Sequence, residues 1–133
     1  GYAMTMRQLC DEDLCDEKLS LHPHECEAIA AFVDRLLQLD KVQTEQVILF
    51  GSKARGDAGD DADIDLLVIV EKADWERKGQ IRLTDARVSL EYDVLLNTHI
   101  LDRARWTELA QHQATLWREV QRDGALIHQE IET

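Results

Sequence analysis

Val47-Ile48-Leu49-Phe50-Gly51-Ser52-Lys53-Ala54-Arg55-Gly56 and, after the loop Asp57 to Ala62, Asp63-Ile64-Asp65-Leu66-Leu67-Val68-Ile69-Val70 form the stretch that decides the fold. It reads as a strand, a tight turn into a short helix, an acidic loop and a second strand. The apolar run Val47 to Phe50 stops at Gly51, as a buried strand meeting a turn does. Ser52 stands where a helix N-cap is expected, ahead of Lys53, Ala54 and Arg55. A helix N-terminus at this place can hold phosphate. Residues two apart in a strand face the same side, so Asp63 and Asp65 point together, about 7 Å apart along the chain, and can share a divalent cation. Ile64, Leu66, Val68 and Val70 point the other way, into a core.

Gly51-Ser52, ten intervening residues and then Asp63-Ile64-Asp65 resemble the signature of the DNA polymerase beta-like nucleotidyltransferase superfamily. The inner Ala54-Arg55-Gly56 and the trailing Leu66 to Val70 resemble its small bacterial branch, the minimal nucleotidyltransferases of HEPN/MNT toxin–antitoxin pairs. The resemblance implies an α/β fold, a short mixed sheet with helices mainly on one face. It implies transfer of AMP from MgATP to a hydroxyl, with Asp63 and Asp65 holding Mg²⁺, two ions in all. Ser52 and the amides after Gly51 would cradle the phosphates. Arg55 would either add positive charge or pair with a loop aspartate. A third carboxylate is expected from a neighbouring strand. Val88 to Leu96 alternates like such a strand, and Asp93 is the best match there, catalytic and metal-binding, with Glu91 the runner-up.

At 133 residues the chain reads as one domain, large enough to bury about two thirds of its unfolded surface. Residues 1–21 read as a flexible acidic arm, with 1–4 a cloning remnant, and 22–133 as a single nucleotidyltransferase domain. With 44% hydrophobic and 32% charged residues, no membrane-length apolar run and no signal peptide, the composition points to a soluble cytoplasmic protein. The net charge of −12 argues against direct nucleic-acid binding and for steering towards a basic partner. Cys10, Cys15 and Cys26 read as reduced thiols. A zinc site with His22 and His24 lacks paired CxxC spacing, and the blander reading of Cys26 as helix core is stronger.

Pro23 suits a first helical turn, and Cys26, Ile29, Ala30, Val33, Leu36 and Leu37 make one apolar stripe to about Leu39. Its polar face, Glu25, Glu27, Asp34 and Arg35, reads as solvated. A helix is expected over Trp75 to Asp85, with Trp75, Ile81 and Leu83 as core contacts. Thr98 can cap a helix to about Ala110, and another runs to about Arg122 before Gly124 stops it.

Three other readings fail. Gly51 to Gly56 has P-loop glycine spacing, but Asp57-Ala58 replace the Lys and Ser/Thr. An EF-hand register from Asp61 puts Leu66 at the glycine and Lys72 at the bidentate Glu. His99, His112 and His128 have no partner at ligand or triad spacing. Trp106 and Trp117 read as core or interface.

The acceptor is the open question, because the chain has no room for an acceptor domain like that of the aminoglycoside enzymes. The resemblance implies a HEPN-type partner, modified on a tyrosine, and hence an antitoxin. The alternatives are a contact antitoxin with a vestigial metal site, and a small-molecule enzyme completed by a partner subunit. Homo-oligomerisation is left open.

Overall fold

The computed structural model describes residues 7–8, 19–59 and 62–130. Chain order is β1 (Arg7–Gln8), α1 (Pro23–Leu37), β2 (Thr44–Phe50), α2 (Gly51–Arg55), β3 (Ile64–Val70), α3 (Trp75–Tyr92), β4 (Leu96–Asp102), α4 (Arg103–Gln111), α5 (Thr115–Asp123) and β5 (Ala125–Gln129). One mixed sheet runs in the order β1-β5-β2-β3-β4. β2 is antiparallel to β3 and β5, while β3 runs parallel to β4 through the α3 crossover.

The strands alternate as their sequence demands. Val47 and Leu49 of β2 and Ile64, Leu66, Val68 and Val70 of β3 join the larger core under α1 and α3. Ile48, Phe50, Leu67 and Ile69 face a smaller core closed by Val120 of α5 and Leu126 of β5. By length the helices favour one face: α1 and α3 have 15 and 18 residues, α4 and α5 nine each. Gly124 ends α5 as expected, and the reason is steric. A Cβ there would sit 2.3 Å from the Val120 carbonyl oxygen and 3.2 Å from Ile48 Cγ2.

The third strand is displaced from its expected place. Val88 to Tyr92 are the last turns of α3, and β4 begins only at Leu96. The period-two apolar pattern competes with a helical one. Ile81 and Val88, seven residues apart, are fully buried, whereas Leu90 is 85% exposed. Asp74 starts this helix by accepting from the Arg77 amide. Trp75 and Leu83, expected in the core, are exposed. Thr98 is no cap: it is buried in β4, and its hydroxyl donates to Asp85 Oδ2 at 2.7 Å. Asp102 caps α4 instead, accepting from the Arg105 amide at 2.7 Å.

The expected arm lies largely outside the described residues, with Cys10 and Cys15. Where it is described, Arg7–Gln8 adds a parallel strand beside β5, and Leu19 is buried. Cys26 is buried in the main core. No described helix is long and apolar enough to cross a membrane.

Candidate active site

The site is built where β2, β3 and β4 meet the start of α2. Phe50 pairs with Asp65 across the antiparallel strands, so the next residue, Gly51, must turn directly over the Asp65 carboxylate. Gly51 has φ +76°, and a Cβ on it would lie 2.4 Å from Asp65 Oδ2. Both constraints demand glycine. The two ends of the signature are therefore one site: the Asp65 carboxylate rests against the backbone that begins α2. The N-cap of α2 is Phe50, not Ser52, and it offers no side-chain acceptor. Ser52 lies inside the first turn, half-buried.

Gly51→Ala is expected to cost about 1–2 kcal/mol in backbone strain alone. It must also displace Asp65. Nucleotide-dependent thermal stabilisation should fall with the basal melting temperature, and both are read in one melting experiment.

Asp63 is exposed at the mouth of β3, and Asp65 is half-buried two residues further on. The residue registered beside Asp65 on β4 is Asn97. Its Nδ2 donates to Asp65 Oδ1 at 2.9 Å, fixing the carboxylate between an amide on one side and Gly51 on the other. Asp93, by contrast, ends α3 in the left-handed conformation, φ 54°, four residues before Asn97. The strand on which Asp93 and Glu91 were expected is helix, so the alternation that aimed them at Asp65 does not exist. Glu91 forms an exposed ion pair with Arg35. Among the described residues no three His, Cys, Asp or Glu side chains come together as a metal cluster.

Arg55 takes the second of its two expected roles. Its Nε contacts Asp57 at 3.2 Å, and its Nη1 reaches Asp123 of α5 at 3.3 Å. The hydrogen bond to Asp57, then that to Asp123, holds the Arg55 guanidinium above its ordinary pKa. Burial pushes the Asp123 carboxyl up, but hydrogen bonds from Arg122 and Arg55 outweigh it and leave it below its ordinary value. Burial likewise lowers the His128 imidazole.

Both lowered groups act in the same direction. The unfolded chain takes up protons first, so stability falls on acidification, through His128 below about pH 6.5 and through Asp123 below about pH 4. Urea titrations from pH 7.5 to 5 should show a decline that His128→Gln flattens.

Lys53 and Glu25 form a second pair that sequence reasoning missed. Lys53 is 1% exposed, and its Nζ lies 3.0 Å from Glu25 Oε2, which belongs to the face of α1 expected to be solvated. Glu25 also accepts from the His22 amide at 2.8 Å, closing a capping box on α1. The one available signal was the position of Glu25, third in the helix behind His22 and Pro23. The pair bolts α2, and with it Gly51 and Ser52, to α1.

The family model described as nucleotidyltransferase domain matches residues 29–113. A Methanocaldococcus jannaschii protein, provisionally named protein adenylyltransferase MJ0141, is 38% identical over 72 residues, 53% of this chain and 73% of that relative. A crystal structure of a toxin–antitoxin with AMP-PNP superposes with a TM-score of 0.50 at 18% identity, over 74% of this chain and 72% of that one. A mutant of the toxin–antitoxin MntA–HpeT superposes with a TM-score of 0.48 at 16% identity, over 74% and 71%. The chain belongs to the nucleotidyltransferase domain family. Its class of activity is nucleotidyl transfer.

Proposed function

We propose that this nucleotidyltransferase moves AMP from MgATP to a tyrosine hydroxyl of a HEPN-type toxin and so acts as its antitoxin. The observation that supports the reading is the close approach of the Asp65 carboxylate to the Gly51 turn, which sets a carboxylate suited to a cation beside a backbone suited to phosphate. The name of the M. jannaschii relative supports a protein acceptor, and the toxin–antitoxin with AMP-PNP supports an adenine nucleotide and a toxin partner.

Two carboxylates suit Mg²⁺, which is held by one or two protein carboxylates together with substrate phosphates and water. Asp63 and Asp65 would hold the ion, which when bound neutralises triphosphate charge and polarises the phosphoryl group. Asn97 keeps Asp65 in its rotamer. Ser52 and the first-turn amides of α2 receive the terminal phosphates. The tyrosine oxygen forms a bond to the α-phosphorus, the bond to pyrophosphate breaks, and the hydroxyl proton passes to solvent.

Labelled ATP, Mg²⁺ and the candidate HEPN protein test this reading directly. Label should appear on the partner with wild-type protein and vanish with Asp63→Asn plus Asp65→Asn. Equal neutralisation of the toxin by both proteins, without label, would overturn it. Melting with MgATP, MgGTP, MgCTP and MgUTP tests nucleotide choice, and stabilisation by MgATP alone is expected.

A second reading, neutralisation by contact without turnover, is favoured by one observation: the position beside Asp65 carries an amide, not a third carboxylate. Asn97→Asp separates the two. It should tighten divalent-metal binding about tenfold, near 1.4 kcal/mol, and lower metal-free stability through like-charge repulsion. A calorimetric Mn²⁺ titration reads the first effect and melting in EDTA the second. Unchanged transfer despite tighter metal binding would show that the amide limits nothing.

A further inference from the structure

We infer that the solvent face of α3 docks a second protein, one that lays an apolar helix edged with Asp and Glu along it. Trp75, Leu83 and Leu90 are 86%, 52% and 85% exposed. With Gly79 and Ala86, also exposed, they fall on one side of the helix, directly opposite the buried Ile81 and Val88. Leu95, 66% exposed, stands just beyond the helix end. An aromatic and two leucines presented in line over four turns are not the scattered single apolar residues of an ordinary surface.

Gly79 adds an independent sign. Glycine disfavours a helix interior, and a Cβ at this position would meet nothing within 4 Å. The chain itself therefore has no steric use for its smallness. Between Trp75 and Leu83 it opens a notch where a partner helix can approach closely.

Charge selects the occupant. Lys78 and Arg82 border the stripe on one side, and Arg87 shares the other with Glu76. Lys78, Arg82 and Arg87 have no ion pair with any described residue. Arg35, Lys53, Arg55, Arg77, Arg103, Arg105 and Arg122 all do, while Lys41, Lys72 and Arg118 have none either. The net charge of −12 steers basic partners at long range, but at this face the exposed Lys78, Arg82 and Arg87 outnumber Glu76, so close contact here favours carboxylates. A second copy of this chain fits poorly. Antiparallel two-fold pairing of α3, with Trp75 over Leu90, centres Arg82 against its own symmetry mate with Lys78 on the same flank. A foreign amphipathic helix in this groove-and-stripe mode meets both requirements. The inference is independent of the proposed transfer reaction.

Two synthetic helical peptides test it by fluorescence anisotropy. They share one leucine face and differ only in their flanks, glutamate in one and lysine in the other. The glutamate peptide should bind the wild-type chain at least about tenfold more tightly. Leu83→Asp with Leu90→Asp should weaken it by a similar factor, and Arg82→Glu with Arg87→Glu should reverse the preference. Unchanged melting temperatures will show that these exposed substitutions leave the fold intact. Equal affinity for the two peptides, no binding of either, or binding undiminished by Leu83→Asp with Leu90→Asp overturns the inference. So does a dimer in sedimentation that the same leucine variant disperses, which would assign the face to a second copy.

Discussion

Asp63→Asn combined with Asp65→Asn is expected to reduce nucleotidyl transfer by about 10³-fold or more while the protein stays folded. On the proposed reading Asp63 and Asp65 would supply the negative charge that holds the cation, so the double amide would leave it with neutral ligands. Loss of such a cation would remove several kcal/mol of transition-state stabilisation, and each ~1.4 kcal/mol is a factor of ten. Folding should survive, because Asp63 is exposed and Asp65 is half-buried beside Asn97, whose amide can still donate to an asparagine carbonyl. The measurement is initial-rate transfer of labelled AMP, with circular dichroism and urea midpoints as controls. Asp65→Asn alone should cost more than Asp63→Asn alone, since Asp65 is the carboxylate oriented by both Asn97 and Gly51. A double variant retaining more than about a tenth of wild-type activity would remove the carboxylates from the mechanism.

Lys53→Ala should be the most destabilising single change considered. It leaves the Glu25 carboxylate, 5% exposed, without its ammonium partner. Breaking a buried pair by deleting one member costs about 3–5 kcal/mol, because the remaining charge has lost water and gained nothing. Against a typical total of about 5–15 kcal/mol, this brings the chain close to unfolding at room temperature. Lys53→Met with Glu25→Leu should recover most of the loss, since replacing both members with apolar side chains removes the orphan charge. Glu25→Gln alone should fall between the two, because its amide oxygen can still accept from the His22 amide. Urea midpoints at constant m-value measure all three variants. The functional consequence follows from position: Lys53 lies inside α2, so loosening it loosens the Gly51 turn over Asp65. Transfer activity should therefore decline before global unfolding is reached.

The part of the site carried by local rules was legible beforehand. The stop of an apolar run at Gly51, the ten-residue interval and the Asp63-Ile64-Asp65 alternation predicted a turn and a carboxylate strand, and β2, α2 and β3 are found there. The helix Pro23–Leu37 and the glycine end of α5 were likewise written in spacing and cap chemistry. The errors cluster where two periodicities overlap. Val88, Leu90, Tyr92, Val94 and Leu96 alternate as a strand would. Ile81 and Val88 repeat as a helix would, and burial against α1 and the sheet decided for the helix. That decision moves β4 downstream and brings Asn97, not Asp93, beside Asp65.

Chain-local physics thus determined the family signature, the two strands it joins and the Gly51 turn. Hydrophobic period, glycine conformation and strand alternation act over a few residues and are readable without a partner. Only the tertiary structure decided the neighbour of Asp65, the burial of Lys53 against Glu25, the pairing of Arg55 with Asp123 and the exposure of Trp75, Leu83 and Leu90. Each depends on which elements meet across the fold. Inter-strand register, a shared low-dielectric pocket and the free side of a helix are properties of pairs of segments, and no single stretch of sequence contains them.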